Sequence, residues 1–262
     1  MTLDKDIVRQ LAEHLENAEL NARPVSKITD AYPTLDWDDA YAIQAEIRRR
    51  KEARGQKVAG LKAGLTSRAK MKQMAVETPV FGLIFDYMSV ADGGEIEAAE
   101  LIHPKVEAEI AFVLKSALRG PGCHIGAVLA ATDFVVPAVE IIDSRYENFR
   151  FDLASVIADN TSSSRFVVGG VARSVDGLDL RTLGIVMQKN GEIAAMAAGA
   201  AVLGHPAAAV AMLVNTMAKR GEEVSAGTFI MSGGATEAIP VAAGDAIHVR
   251  FQDMGSVSMR FV

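Results

Sequence analysis

Cysteine is almost missing from this chain: Cys123 is the only one among 262 residues, so no intramolecular disulfide can form and nothing asks for an oxidising compartment. Positive charge is also in deficit, with 27 lysines and arginines against 33 aspartates and glutamates and a formal net charge of −6. Such a surface repels nucleic acid and anionic membrane, which argues against both and leaves a small molecule as the expected partner. The five histidines form no metal-spaced cluster, so no zinc site is expected, and no glycine pattern matches a phosphate loop or a dinucleotide site. The opening "MTLDKDIVRQLAEHLENAEL" lacks the basic head and continuous apolar run of a signal peptide, and no later stretch reads as long enough to span a bilayer. The expectation is a soluble cytoplasmic protein.

What is present is apolar residue in quantity: 50% of the chain, enough for a substantial core. Ile7, Leu11 and Leu15 recur at helical spacing between charges and predict a first helix. "WDDAYAIQAEIRRRKEARG" predicts a second, with Ala40, Ile43 and Ile47 on one face, Asp36 as cap and Gly55 in the left-handed position past its end. Beyond residue 56 the character changes. "KVAGLKAGLTS" reads as a strand entering a glycine-containing turn, and "SRAKMKQMAV" as a short helix presenting Met71 and Met74. From "FGLIFDYMSV" onward strand-like runs alternate with glycine turns, interrupted by two helical stretches, "IGAVLAATDF" and "PAAAVAMLVNTMAKRG". Asn190-Gly191 marks a hairpin, and "AGDAIHVRFQDMGSVSMRFV" a closing strand pair. A helical part at 1–56 followed by a β-rich domain at 57–262 is the expected organisation.

Within "HPKVEAEIAFVL", Glu107 and Glu109 fall on one face of a strand, and Val106, Ala108 and Ile110 on the other. Like charges held that close repel unless something positive lies between them, and a divalent cation meets that need. Glu140 sits inside another apolar run, "FVVPAVEIIDSR". Together the three offer the hard oxygen ligands suited to Mg²⁺ or Mn²⁺, with positions left for water and substrate. The competing reading is a solvated strand face, with Glu140 paired to Arg145 or Lys105. Lys62, flanked by Gly60 and Gly64 in "GLKAGLTS", would bind a substrate carboxylate or enolate oxygen; alternatively it is an exposed strand lysine. "VIADNTSSSRF" places Asp159, Asn160, Ser162 and Ser163 in a turn fit to orient a ligand or merely to cap. Cys123 beside His124 reads as a loop or core cysteine, His205 as a helix starter, and "SGGATEA" as a glycine turn able to border a pocket.

The motifs "GLKAGLTS", "ETPVFG", "HPKVEAEIAFVL", "VPAVEIIDSRYENF", "ADNTS" and "VLGHP" resemble the hydratase/decarboxylase branch of the fumarylacetoacetate hydrolase family, from about the second helix to the C-terminus. The resemblance implies an α+β fold with a mixed β-sandwich or roll core, and a Mg²⁺ or Mn²⁺ ion on Glu107, Glu109 and Glu140. It implies an active-site Lys62, and pocket positions for Asp159 and Ser162. It also implies metal-dependent loss of CO₂ from a 2-oxo dicarboxylic acid, 2-oxohex-3-enedioate, in meta-cleavage catabolism of aromatic compounds. Hydration of 2-hydroxypenta-2,4-dienoate is the alternative activity, and a non-catalytic partner of that hydratase a third reading. A homo-oligomer, and a complex with the hydratase, are the assemblies implied.

Overall fold

The structure, a computed structural model, describes residues 3–67, 71 and 79–262. Of the short helix expected over 67–76, only Ser67 and Met71 fall within these; Met71 is buried and Met74 lies outside the described residues.

The first two helices form where the sequence places them. Helix α1 (Lys5–Leu20) starts at Asp4, whose carboxylate accepts the Asp6 N–H, and buries Val8, Leu11 and Leu15. Helix α2 (Trp37–Ala53) opens with a reciprocal Asp36–Asp39 capping box, and Gly55 follows its end at φ +88°. The two helices are clamped by ions: Glu16 meets Arg50 at 2.6 Å and Arg54 at 2.5 Å, and buried Lys51 meets Glu19 at 2.8 Å.

The remaining chain supplies β1 (Val58–Gly64), β2 (Val80–Phe85), β3 (Ser89–Val90), β4 (Glu95–Ile96) and β5 (Lys105–Leu114). Next come α3 (Ile125–Ala131), β6 (Thr132–Ile142), α4 (Leu153–Ala158), β7 (Ser163–Val168), β8 (Gly184–Lys189) and β9 (Glu192–Ala198). The last elements are α5 (Pro206–Ala218), β10 (Phe229–Met231), β11 (Ile239–Pro240), β12 (Ala246–Phe251) and β13 (Gly255–Phe261). One sheet runs β2-β1-β10-β5-β6-β7-β3 with β11 added to β5; the other runs β4-β13-β12-β8-β9. Parallel pairs at β1–β10, β3–β7 and β4–β13 among antiparallel ones make both sheets mixed. The architecture is α+β, as expected. The Asn190-Gly191 turn closes the β8–β9 hairpin with both residues at positive φ, and the expected closing pair is β12–β13.

Four expectations need correction. "IGAVLAATDF" is helical only to Ala131; Thr132–Phe134 opens β6, because the long ladder against β5 outweighs local helical signal. A third helix, α4, stands beyond the two expected in this region: Asp152 caps it by accepting the Ser155 N–H at 2.9 Å, but six residues are too few to show a period. In the turn after β1 it is Leu65, not a glycine, that takes positive φ, at 58°. Finally, Gly199–Ala218 does reach the length and apolarity of a bilayer span. Leu203 and Gly204 interrupt it at positive φ, and Ala207, Val210, Leu213 and Val214 of α5 are fully buried in the core, as in a core helix.

Candidate metal centre

Strands β5 and β6 pair along nearly their whole length with Glu107 directly opposite Glu140, and Glu109 one step further on the same face. Exposures of 6%, 0% and 2% for Glu107, Glu109 and Glu140 exclude the solvated-face reading. One oxygen from each carboxylate lies within 4.8 Å of the others. The expected trio is therefore brought together.

Lys62 is 3% exposed, which excludes the exposed-lysine reading. Its Nζ stands 2.5 Å from Glu140 Oε1 and donates to the Thr161 carbonyl at 2.9 Å. So Glu140 pairs with Lys62, not with Arg145 or Lys105. The glycines flanking Lys62 serve it less than expected: a side chain on Gly60 would strike the Phe229 carbonyl of the neighbouring strand, whereas Gly82, opposite Lys62 on β2, leaves the room filled by the Lys62 stem and by Asn160 and Thr161.

Among the described residues, Lys62 is the one ammonium paired with this trio, through Glu140. Burial and the Glu140 carboxylate push Glu109 well above the ordinary carboxylate range, and burial pushes Glu140 up despite Lys62. Glu109 Oε2 accepts the Gly233 N–H at 2.7 Å, while Oε1 is buried with no hydrogen-bond donor among the described residues. A divalent cation would give Glu109 Oε1 a partner and offset the repulsion between Glu109 and Glu140, and an all-oxygen donor set suits Mg²⁺ or Mn²⁺. The residues present fit the metal.

The glycine turn borders this pocket, as expected. Past β10, Ser232 and Ala235 still bond to Ile110 and Ala108 of β5, so Gly233 and Gly234 bulge out between them and turn the Gly233 N–H onto Glu109. A β-carbon on Gly234 would run into the Glu107 carboxylate, and one on Gly233 (φ +97°) into Thr66. The cavity beside the carboxylates, about 450 Å³, is lined by Lys62, Glu107, Glu140, Thr66, Ser162, Gly234, Lys105 and the apolar side chains of Val80, Ile142, Phe149, Phe151 and Val156.

The "ADNTS" turn divides its residues. Asn160, Thr161 and Ser162 all hold positive φ, 48°, 53° and 59°, a strained run for residues with side chains. The Asn160 amide fixes it by accepting the Leu83 N–H at 2.7 Å and donating to the Leu83 carbonyl at 2.8 Å. This aims the Thr161 carbonyl at Lys62 and puts Ser162 on the cavity, its Oγ buried without a partner among the described residues. Asp159 is not on the cavity wall. Its carboxylate is held by the Arg145 guanidinium and backbone N–H; burial pushes it up to about 7 against the pull of Arg145. Ser163 turns inward to the Met88 sulfur at 3.6 Å. His124 and His205 cap α3 and α5, and Cys123 is half-buried in the loop before α3. Reasoning from the sequence missed Thr66, Lys105, Phe149 and Phe151. They come from three segments, the turn after β1, the start of β5 and the loop after β6, and no local pattern marks them.

No family profile matches the chain. Its fold is that of fumarylacetoacetate hydrolase-type proteins: a 2-hydroxyhepta-2,4-diene-1,7-dioate isomerase from Mycobacterium marinum superposes over 78% of this chain and 75% of that one with a TM-score of 0.58 at 14% identity. The 4-oxalocrotonate decarboxylase of Pseudomonas sp. (strain CF600) is 64% identical over 261 residues, 100% of this chain and 99% of that protein. The 4-oxalocrotonate decarboxylase from Pseudomonas putida G7, solved with magnesium and adipate, matches with a TM-score of 0.98 at 60% identity over 100% of this chain and 99% of that one. A 2-oxo-hept-4-ene-1,7-dioate hydratase from Escherichia coli is 38% identical over 99% of both chains. This chain belongs to the 4-oxalocrotonate decarboxylase family, in the hydratase/decarboxylase branch of the fumarylacetoacetate hydrolase family.

Proposed function

We infer that this chain is a metal-dependent carbon–carbon lyase that converts 2-oxohex-3-enedioate (4-oxalocrotonate) to 2-hydroxypenta-2,4-dienoate and CO₂. The observation that carries it is full-length identity of 64% and 61% to two 4-oxalocrotonate decarboxylases, against 37–39% to hydratases of the branch.

In this reaction the bond to the far carboxylate breaks, CO₂ leaves, the electrons pass through the alkene to the 2-oxo oxygen, and the resulting dienolate takes a proton from water to give the dienol. Glu107, Glu109 and Glu140 hold the Mg²⁺ or Mn²⁺. When bound, the metal supplies a Lewis acid for the substrate's carboxylate and 2-oxo oxygen, where negative charge collects. Lys62, kept in place by Thr161 and Glu140, adds a second positive charge at that end. Ser162 presents a free hydroxyl to the same cavity. Asp159 acts one step behind, fixing Arg145 and through it the strained turn. Ile142, Val156 and Phe151 keep water from the departing group.

Residues 1–56 form a helical part that buttresses the metal-binding domain 57–262; the Gln44 amide donates to the Phe81 and Ile157 carbonyls at 3.0 and 3.2 Å. The enzyme works in the cytoplasm of a cell degrading aromatic compounds by meta-cleavage. It assembles as a homo-oligomer and with the hydratase of the next step, and the edge strand β9, with Ile193 59% and Met196 70% exposed, supports self-association.

Purified protein given 2-oxohex-3-enedioate with and without Mg²⁺ tests the reading. Metal-dependent CO₂ release with transient dienol absorbance is the expected result. Absence of CO₂ alongside consumption of added 2-hydroxypentadienoate would make it a hydratase.

A further inference from the structure

The cavity holds two lysines in different situations. Lys62 is neutralised by Glu140. Lys105, half-buried at the start of β5, rests its ammonium 4.0 Å from the centroid of the Phe149 ring, not on a carboxylate of the described residues. The ring is held there at a cost: Asn148 and Phe149 both adopt positive φ, 56° and 54°, and for a bulky aromatic residue that is an outlier. Phe151 lies beside it with ring centroids 6.5 Å apart. A strained loop thus carries an aromatic plate to a cation that faces the same space as the metal-binding carboxylates.

The spacing has a chemical meaning. Lys105 and Glu107 are two residues apart on one strand face, about 6.6 Å along the strand. Opposite Lys105 on β6 stands Ile142, and on its other side Pro240 of β11, neither of which can answer its charge. A dicarboxylic acid of about six carbons, bound through its 2-oxo acid end at the carboxylate trio, would carry its second carboxylate a similar distance away.

We propose that Lys105, laid on Phe149, receives the second carboxylate of the substrate, so that the step from Glu107 to Lys105 sets which length of 2-oxo dicarboxylate is accepted. This rests on the function inferred above, since the near end of the substrate must lie at the metal. The contact belongs to the ground state, because the carboxylate it holds departs as neutral CO₂. Lys105 is therefore a specificity residue: losing a contact made in the ground state raises KM and does not lower kcat, which rises with KM to the extent that the contact is already broken in the transition state.

The test uses the full chain with Mg²⁺ and two ligands that cannot lose CO₂ this way, 2-oxohexanedioate and 2-oxopentanoate; the second lacks the far carboxylate. Lys105→Met keeps the apolar stem over the ring and removes the charge, and Lys105→Arg restores a cation. By calorimetry, Lys105→Met should weaken 2-oxohexanedioate roughly 10- to 100-fold, the range of a hydrogen-bonded ion pair, with 2-oxopentanoate unchanged and Lys105→Arg recovering most of the loss. With substrate, KM should rise by a similar factor with no fall in kcat. Equal weakening of both ligands, or of neither, overturns the assignment of Lys105 alone. Failure of the unmodified protein to bind either ligand overturns the functional reading and this assignment with it.

Discussion

Glu107 and Glu140 face each other directly across the antiparallel β5–β6 ladder, a position where like charges weaken a sheet. With Glu109 beside them, and the Lys62–Glu140 contact the one ion pair described for the trio, the arrangement is costly for the protein alone and suited to an ion of charge two. Glu109→Gln tests this most cleanly, because the amide oxygen can still accept the Gly233 N–H. Mg²⁺-dependent turnover should fall at least about 100-fold, the upper range for disturbing a metal's surroundings. In chelator the variant should melt no lower than the parent, and Mg²⁺ should no longer raise its melting temperature. Unchanged turnover would remove Glu109 from the ligand set.

Lys62→Met separates binding from chemistry. The lysine competes with the metal for Glu140 and, once substrate is bound, supports the charge that forms on it. Its removal should tighten Mg²⁺ binding while turnover drops by about 100-fold or more, as when a stabiliser of developing charge is lost. Breaking a buried pair costs roughly 3–5 kcal/mol, so the metal-free variant should melt well below the parent. Calorimetry of Mg²⁺ binding beside a turnover assay checks all three.

Gly234→Ala places a methyl group against the Glu107 carboxylate. Displacing that ligand should weaken Mg²⁺ binding about 10- to 100-fold, while overpacking costs only about 1–3 kcal/mol of stability. Calorimetric titration of the variant with Mg²⁺ decides it; wild-type affinity would show that the bulge is not what positions Glu107.

Asn160→Ala removes both bonds to the Leu83 backbone and the residue type most tolerant of φ 48°. Two unpaired buried backbone groups and added strain should cost roughly 2–4 kcal/mol. Turnover should fall as well, because the Thr161 carbonyl no longer holds Lys62. Denaturant unfolding and kinetics on the same preparation test both effects.

Glu16 supplies the pH dependence. Burial raises its carboxyl, but Arg54 and Arg50 outweigh this and hold it below its ordinary 4.5. A lowered folded value means the clamp is at full strength above 4.5 and is lost as pH falls through the folded value. Glu16→Gln should therefore cost about 1–3 kcal/mol near neutral pH, and the gap between parent and variant should close only below 4.5. A gap that stays constant into acid would show that Glu16 is not charged in the clamp.

Much of the site was legible because three of its groups violate a local rule. A carboxylate in an apolar strand stands out wherever the chain passes, and Glu107, Glu109 and Glu140 do so twice. The helix caps at Asp36 and Gly55, and the Asn190-Gly191 hairpin, were readable for a similar reason: they are set by residues a few positions apart. Asp159 shows the limit. Its neighbour Asn160 and Ser162 both matter to the pocket wall, yet Asp159 itself turns away to Arg145, a direction decided by three consecutive left-handed residues that no residue type announces. Helix α4, six residues long, was invisible because one and a half turns make no period.

By itself, then, the sequence determined the two opening helices, the strand character of much of the rest, the pairing of acids on one strand face and, with a single cysteine, that no internal disulfide can form. Each follows from residues that are neighbours along the chain. Tertiary structure alone decided that β5 and β6 register Glu107 on Glu140, that Lys62 crosses to them, that the Gly233–Gly234 bulge lies over them, and that Lys105 meets Phe149. Those relations join segments tens of residues apart, and only the closing of the sheet around a common core brings them within bonding distance.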